Sequence, residues 1–222
     1  MNIFNIFNSN IQINGNNYGS DVKKGDGKIT TSEVSDIKSF DKIASHGCAD
    51  IYYHKSDEYK VTVTTDSNLI EYVDIHVSDT TLNVGLKNGS YSFTRLKVNV
   101  FCPYVNDVSI KGSGNFIGDN AFNVENFNAS IKGSGDIVIY GSAKYARVQI
   151  CGSGDFDGSD FKVKKASVHI KGSGDIDISV SDELDASVRG VGDIIYRGNP
   201  SIVSKVVKGL GKIKNKNNRK LN

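Results

Sequence analysis

The sequence predicts an all-β chain wound as a right-handed parallel β-helix, a β-solenoid with about 18–21 residues per coil. Three observations predict it: a glycine corner motif that recurs at nearly constant spacing, apolar–polar alternation between the corners, and 23 Gly against only 2 Pro. Many positions therefore need unusual backbone angles or close approach, while few need a fixed φ.

The motif runs Ile110-Lys111-Gly112-Ser113-Gly114-Asn115, then from Ile131, Ile150 and Ile170 with Asp at the sixth place, then more loosely from Val188 and Val207. Its starts are separated by 131 − 110 = 21 residues, then by 19, 20, 18 and 19. Each period is one coil. Segments such as Ala166-Ser167-Val168-His169-Ile170 alternate with period two, which excludes helical repeats. A leucine-rich repeat is excluded because the second half carries only Leu184 and Leu210 before the tail.

Aligning the coils places Ile110, Ile131, Ile150, Ile170, Val188 and Val207 in one column, and Phe116, Ile137, Phe156, Ile176 and Ile194 in another. Coils one strand spacing apart, about 4.8 Å, turn these columns into continuous apolar ladders. Each fully buried member contributes on the order of 1.5–3 kcal/mol. The corner glycines are Gly112 and Gly114, Gly133 and Gly135, Gly152 and Gly154, Gly172 and Gly174, and Gly190 and Gly192. A sharp turn there needs positive φ, and stacked corners leave little room for a Cβ.

Before Ser109 the corner repeat is absent, but alternating runs at Tyr59–Val63, Val73–Val77, Leu82–Val84 and Leu96–Val100 read as strands that complete or cap the solenoid. His46-Gly47-Cys48-Ala49-Asp50 before Ile51 reads as a degenerate first corner. Residues 1–38 read as a flexible polar leader, 39–212 as the solenoid domain, and 213–222 as a basic, disordered tail.

The net charge of +2 gathers its excess at Lys205–Lys220 rather than along a stripe, so nucleic acid is not an expected partner. Cys48, Cys102 and Cys151 are odd in number and lack Cys-x-x-Cys spacing, so neither a closed disulfide set nor a zinc site is indicated, and buried or inert thiols are expected. No stretch approaches the length of a membrane-spanning helix. The segment Met1–Asn8 has neither a basic n-region nor a long apolar run, which reads as no secretory signal.

Phe40-Asp41-Lys42-Ile43, a glycine corner, a strand-rich stretch and then serial Gly-Ser-Gly-Asp together resemble the bacterial family called the putative auto-transporter adhesin head GIN domain, over roughly Ile37 to Lys212. The resemblance implies a parallel β-helical fold, no catalytic activity and an adhesive role at the cell surface. Placement stays open between the cell envelope or secretion, which the family implies, and the cytoplasm, which the N-terminus allows.

Stacked corners also stack charge, with Asp136, Asp155, Asp175 and Asp193 on one side and Lys111, Lys132, Lys171 and Arg189 on the other. The Asp column is the candidate calcium site, because carboxylates at glycine corners are how calcium-binding β-rolls assemble oxygen ligands. The competing reading has each Asp accepting backbone hydrogen bonds at its turn. Asp26-Gly27 through Glu33 matches the later half of an EF-hand loop, yet Val22 and Lys24 fall at its first ligand positions and oppose a cation. Ser113, Ser134, Ser153 and Ser173 form a further corner column that gives way to Val191 and Leu210, a switch that marks a cap or a meeting with another copy.

Acidic and basic groups recur once per coil instead of clustering, and His46, His54, His76 and His169 lack triad or metal spacing, so no catalytic residue, cofactor or metal is assigned. The expected function is a non-enzymatic scaffold that binds a protein or glycan at the cell envelope. The alternatives are an intracellular module that self-assembles through its solenoid edges, and a calcium-binding repeat protein.

Overall fold

The computed structural model describes residues 22–119 and 121–216. In chain order the strands are β1 (Val22–Lys24), β2 (Ile29–Glu33), β3 (Lys42–Gly47), β4 (Asp50–Lys55) and β5 (Lys60–Asp66). A 3-10 turn at Ile70–Tyr72 leads to β6 (Val73–Ser78), β7 (Thr81–Leu86), β8 (Ser90–Ser92) and β9 (Leu96–Cys102). The coiled part follows as β10 (Asp107–Gly112), β11 (Phe116–Gly118), β12 (Phe122–Gly133), β13 (Ile137–Val138), β14 (Gly141–Gly152), β15 (Phe156–Gly172), β16 (Ile176–Gly190), β17 (Ile194–Arg197), β18 (Ile202–Gly209) and β19 (Ile213–Asn215). The fold is a β-solenoid of about 5 turns.

Two faces account for most of the stack. On one, β7, β3, β10, β12, β14, β15, β16 and β18 lie parallel in that order, closed at the N-terminal end by antiparallel β6. On the other, β9, β4, β11, β13, β15, β16, β17 and β19 lie parallel, with β5 and then β2 added antiparallel at the same end. The register places Ile110, Ile131, Ile150, Ile170, Val188 and Val207 side by side. Phe116, Ile137, Phe156, Ile176 and Ile194 form the second ladder, extended by Ile51 and Ile213. The interior members of both columns are buried and belong to one continuous core.

The first coil is β3–β4, and its corner is the one at His46–Asp50: Gly47 stands beside Gly112 across β3 and β10. These neighbours are 112 − 47 = 65 residues apart, because β5 to β9 are inserted between two coils adjacent in space. The inserted strands fold back onto the far side of β3 and β4, and so both extend the stack and close its N-terminal end.

The leader expected over residues 1–38 is strand in part. β2 pairs antiparallel with β5, Thr31 and Thr64 share a hydroxyl contact at 2.8 Å, and β1 pairs parallel with β8. Buried Asp66 fixes the approach, accepting the amides of Gly27 at 2.9 Å and Thr94 at 2.8 Å. Burial works to raise its pKa, but these hydrogen bonds outweigh it and hold the carboxyl below the ordinary carboxylate range. Residues 1–21 of that leader lie outside the described residues. The tail expected from 213 likewise begins as β19, held by the pairing of Ile213 with Ile194, while 217–222 lie outside the described residues.

The three thiols are free and differ in burial. Only Cys102 is buried, and burial pushes its pKa up to about 12. Cys48 and Cys151 are exposed because they stand at outward corner positions, Cys151 beside Lys132 and Lys171.

Candidate functional site

The glycine corners are the most repetitive surface of the molecule. Gly112, Gly133, Gly152, Gly172 and Gly190 have φ between 141° and 149°. A Cβ on Gly152 would lie 2.1 Å from the Gly133 carbonyl oxygen, so both the turn and the stacking demand glycine. At the second glycine of each corner, a Cβ on Gly154 would meet the Gly135 oxygen at 2.1 Å.

The acidic column beside them is a hydrogen-bonded ladder. The Asp50 carboxylate accepts the amide of Asn115 at 3.0 Å, and the Asn115 side-chain oxygen accepts that of Asp136 at 2.9 Å. Asp136, Asp155 and Asp175 each accept the amide of the next Asp, at 2.8, 2.7 and 2.6 Å, and Asp193 accepts that of Lys212 at 2.7 Å. The donor comes from the next coil rather than from the residue's own turn. Each carboxylate thus supplies an acceptor where the strand pairing is interrupted by the corner. Among the described residues no group of three or more His, Cys, Asp or Glu converges to hold a metal ion. The EF-hand-like stretch is similarly engaged: Asp26 accepts the Lys28 amide and the Ser67 hydroxyl, and Glu33 pairs with Lys60 at 2.7 Å.

Ser113, Ser134, Ser153 and Ser173 lie exposed along the same corners, as do Lys111, Lys132, Lys171 and Arg189. The histidines are dispersed. His54 faces Asp119 at 3.2 Å and stacks on Phe101, His76 pairs with Asp74 at 3.3 Å, and His169 bridges the Ser167 and Ser187 hydroxyls at 2.9 and 2.7 Å. Burial and nearby Lys111 hold the His46 pKa below its usual value.

A different part of each coil forms a second surface feature. An open groove of about 890 Å³ runs across five coils, lined along its middle by Val124, Ala143, Val163 and Val180 and ending at Gly198. Register sets Val124 beside Ala143, Ala143 beside Val163, and Val163 beside Val180. One wall carries Asn123, Ser142, Lys162 and Ser179; the other carries Glu125, Lys144, Lys164, Ser181 and Asn199. The chain bends here: Glu125 and Asn126, like Lys164 and Lys165, are consecutive outward residues, and the pairing of β15 with β16 shifts between Val163 and Lys165. Lys144 is neutralised by Glu125 at 2.8 Å. Among the described residues neither Lys162 nor Lys164 forms an ion pair.

Sequence reasoning passed over this groove because its walls do not repeat. The signal that finds it is the apolar residue nine or ten places before each corner glycine: 133 − 124 = 9, 152 − 143 = 9, 172 − 163 = 9 and 190 − 180 = 10.

The C-terminal end is the other distinctive surface. All of β18 is exposed, including Ile202, Val203, Val206 and Val207, and the corner residue Leu210 is 82% exposed. Lys205 takes the inward position held by Val148, Val168 and Ala186 in preceding coils, and its ammonium lies 4.6 Å from the centre of the Tyr196 ring.

Among solved structures, the chain is similar to a protein from Bacteroides fragilis described as a "putative adhesin", with 26% identity and a TM-score of 0.72 over 86% of this chain and 99% of the other. A "putative lipid binding protein" from Parabacteroides distasonis gives 26% identity and 0.59 over 87% and 99%. A "putative adhesin" from Parabacteroides merdae shares the fold at 24% identity and 0.55, over 88% and 99%. No curated protein matches the chain. The sequence model of one family, described as "Putative auto-transporter adhesin, head GIN domain", matches residues 39–200, and with the corner repeats, register and solenoid fold in place, the chain belongs to that family.

Proposed function

We propose that the chain is a non-enzymatic binding module of the adhesin type, displayed at the cell envelope, that holds its ligand along the side of the solenoid. The observation that carries this reading is the five-coil groove, built on strands whose spacing the core ladders fix. The charged groups support the same reading. They are distributed coil by coil, and the Asp column is occupied with holding adjacent coils together.

Two experiments test it. Protease shaving of intact native cells, followed by immunoblotting against a cytoplasmic control, is expected to remove this chain selectively; full protection rejects display at the surface. Purified domain coated on beads is expected to retain cells or envelope material, and beads indistinguishable from uncoated ones reject the binding role.

A second reading, end-to-end self-assembly, is favoured by the exposed apolar residues of β18. Lys205 opposes it, because an inward-pointing charge at an edge strand blocks another coil from stacking. Sedimentation is expected to give a monomer at all accessible concentrations, and association with rising concentration would favour assembly instead. Calcium has no place in this reading: the thermal midpoint is expected to be equal in calcium and in chelator, and a rise with calcium would restore it.

A further inference from the structure

We propose that the side groove takes a linear anionic polysaccharide laid parallel to the solenoid axis, with its acidic groups on Lys162 and Lys164. This rests on the reading of the chain as a binding module and specifies the ligand class.

The shape points to a polymer. Five coils line the groove, and four spacings of about 4.8 Å give a track of about 19 Å, open along its length. One coil step is close to the length of one pyranose residue in an extended chain, so successive sugars meet successive rungs.

The lining points to a glycan. Ala143, Val163 and Val180 beneath it belong to the buried core and hold its shape, while Asn123, Ser142, Ser179 and Asn199 supply amide and hydroxyl groups that both donate and accept hydrogen bonds. No aromatic residue lines the groove, so it lacks the stacking platform on which single-stranded nucleic acid depends.

The charge points to an acid. Lys162 and Lys164 belong to the same coil, stand on opposite walls and form no ion pair among the described residues. The groove's one carboxylate, Glu125, is already engaged by Lys144. The middle of the groove therefore holds uncompensated positive charge, complementary to carboxylate or sulfate groups carried on a glycan.

The test is calorimetric titration of the full chain with polygalacturonate, dextran sulfate, neutral dextran and oligo-dT, for the native protein and two double variants. Lys162→Glu with Lys164→Glu reverses the groove. Lys171→Glu with Arg189→Glu makes the same change in net charge on the corner column, away from it. Polygalacturonate or dextran sulfate is expected to bind, to weaken at least about tenfold in the groove variant, to remain unchanged in the corner variant, and to weaken with salt. The better of the two polyanions identifies the acidic group. Equal weakening in both variants, dextran binding as tightly as either polyanion, preference for oligo-dT, or no binding of either polyanion would each overturn the proposal. If the groove variant on beads still retains cells as well as the native domain, the anionic-glycan inference fails while the binding-module reading stands.

Discussion

Gly47 and Gly152 occupy the same corner column, one at the N-terminal end of the stack and one in its middle, and their surroundings differ. Both have positive φ, 121° and 149°. A Cβ on Gly152 would press into the Gly133 carbonyl at 2.1 Å, whereas one on Gly47 would find only a Leu86 methyl at 4.0 Å. The turn alone disfavours a side chain at either position, but the coil beneath forbids one only at the second. Glycine in this fold is thus required mainly by stacking on the preceding coil, and the requirement relaxes at the N-terminal end alone, since a Cβ on Gly209 in the last coil would still lie 2.1 Å from the Gly190 oxygen.

The largest expected effect follows directly. Gly152→Ala should cost at least about 4 kcal/mol, or abolish folding, while Gly47→Ala should cost about 1–2 kcal/mol from backbone strain. Urea denaturation of both variants measures the difference, and equal losses would break the comparison. Next, Ile150→Ala in the buried ladder should cost about 3 kcal/mol, against under about 1 kcal/mol for Val207→Ala in the same column, where the end coil leaves the side chain 44% exposed.

Smaller effects sharpen the picture at the acidic column and the first coil. Asp155→Ala removes the acceptor of the Asp175 amide and should cost about 1 kcal/mol. Asp155→Asn should stay within about 0.5 kcal/mol of the native protein, because Asn115 already fills this role one coil from Asp50. If the two substitutions cost the same, the ladder contributes through charge rather than through its hydrogen bonds. In the Ile110 column the first coil carries Ser45, which is buried with no hydrogen-bond partner for its hydroxyl among the described residues. Ser45→Val should therefore stabilise the protein by about 1 kcal/mol, read as a rise in thermal midpoint.

The same contrast explains what could be read from the sequence. Between Ile110 and Val207 every coil contacts the next in chain order, so neighbours in space recur at a fixed spacing, and both apolar columns stand in the register that this spacing implies. Gly47 meets Gly112 across an insertion of β5 to β9, so its corner is recognisable only by composition, and the antiparallel closure by β2, β5 and β6 leaves no repeat to count. β2 was concealed for a related reason: its partner is β5, and the hydrogen bonds that order it come from Asp66 and Thr64, far along the chain. The groove lay hidden in the opposite way. Its middle residues keep step with the corners, but its walls change from Asn123 to Lys162 and from Glu125 to Ser181, and that loss of repetition is what makes this one stretch of the side chemically distinct.

A rigid interior stack presents the groove, flanked by ends of different character. Amide hydrogen exchange, resolved by residue, tests this most directly. The slowest amides should lie in β12, β14, β15 and β16, including the Asp155 and Asp175 amides held by the preceding carboxylates, with exchange quickening toward β18 and β19. Fast exchange of the Asp155 and Asp175 amides, or protection in β18 equal to that in β14, would contradict it.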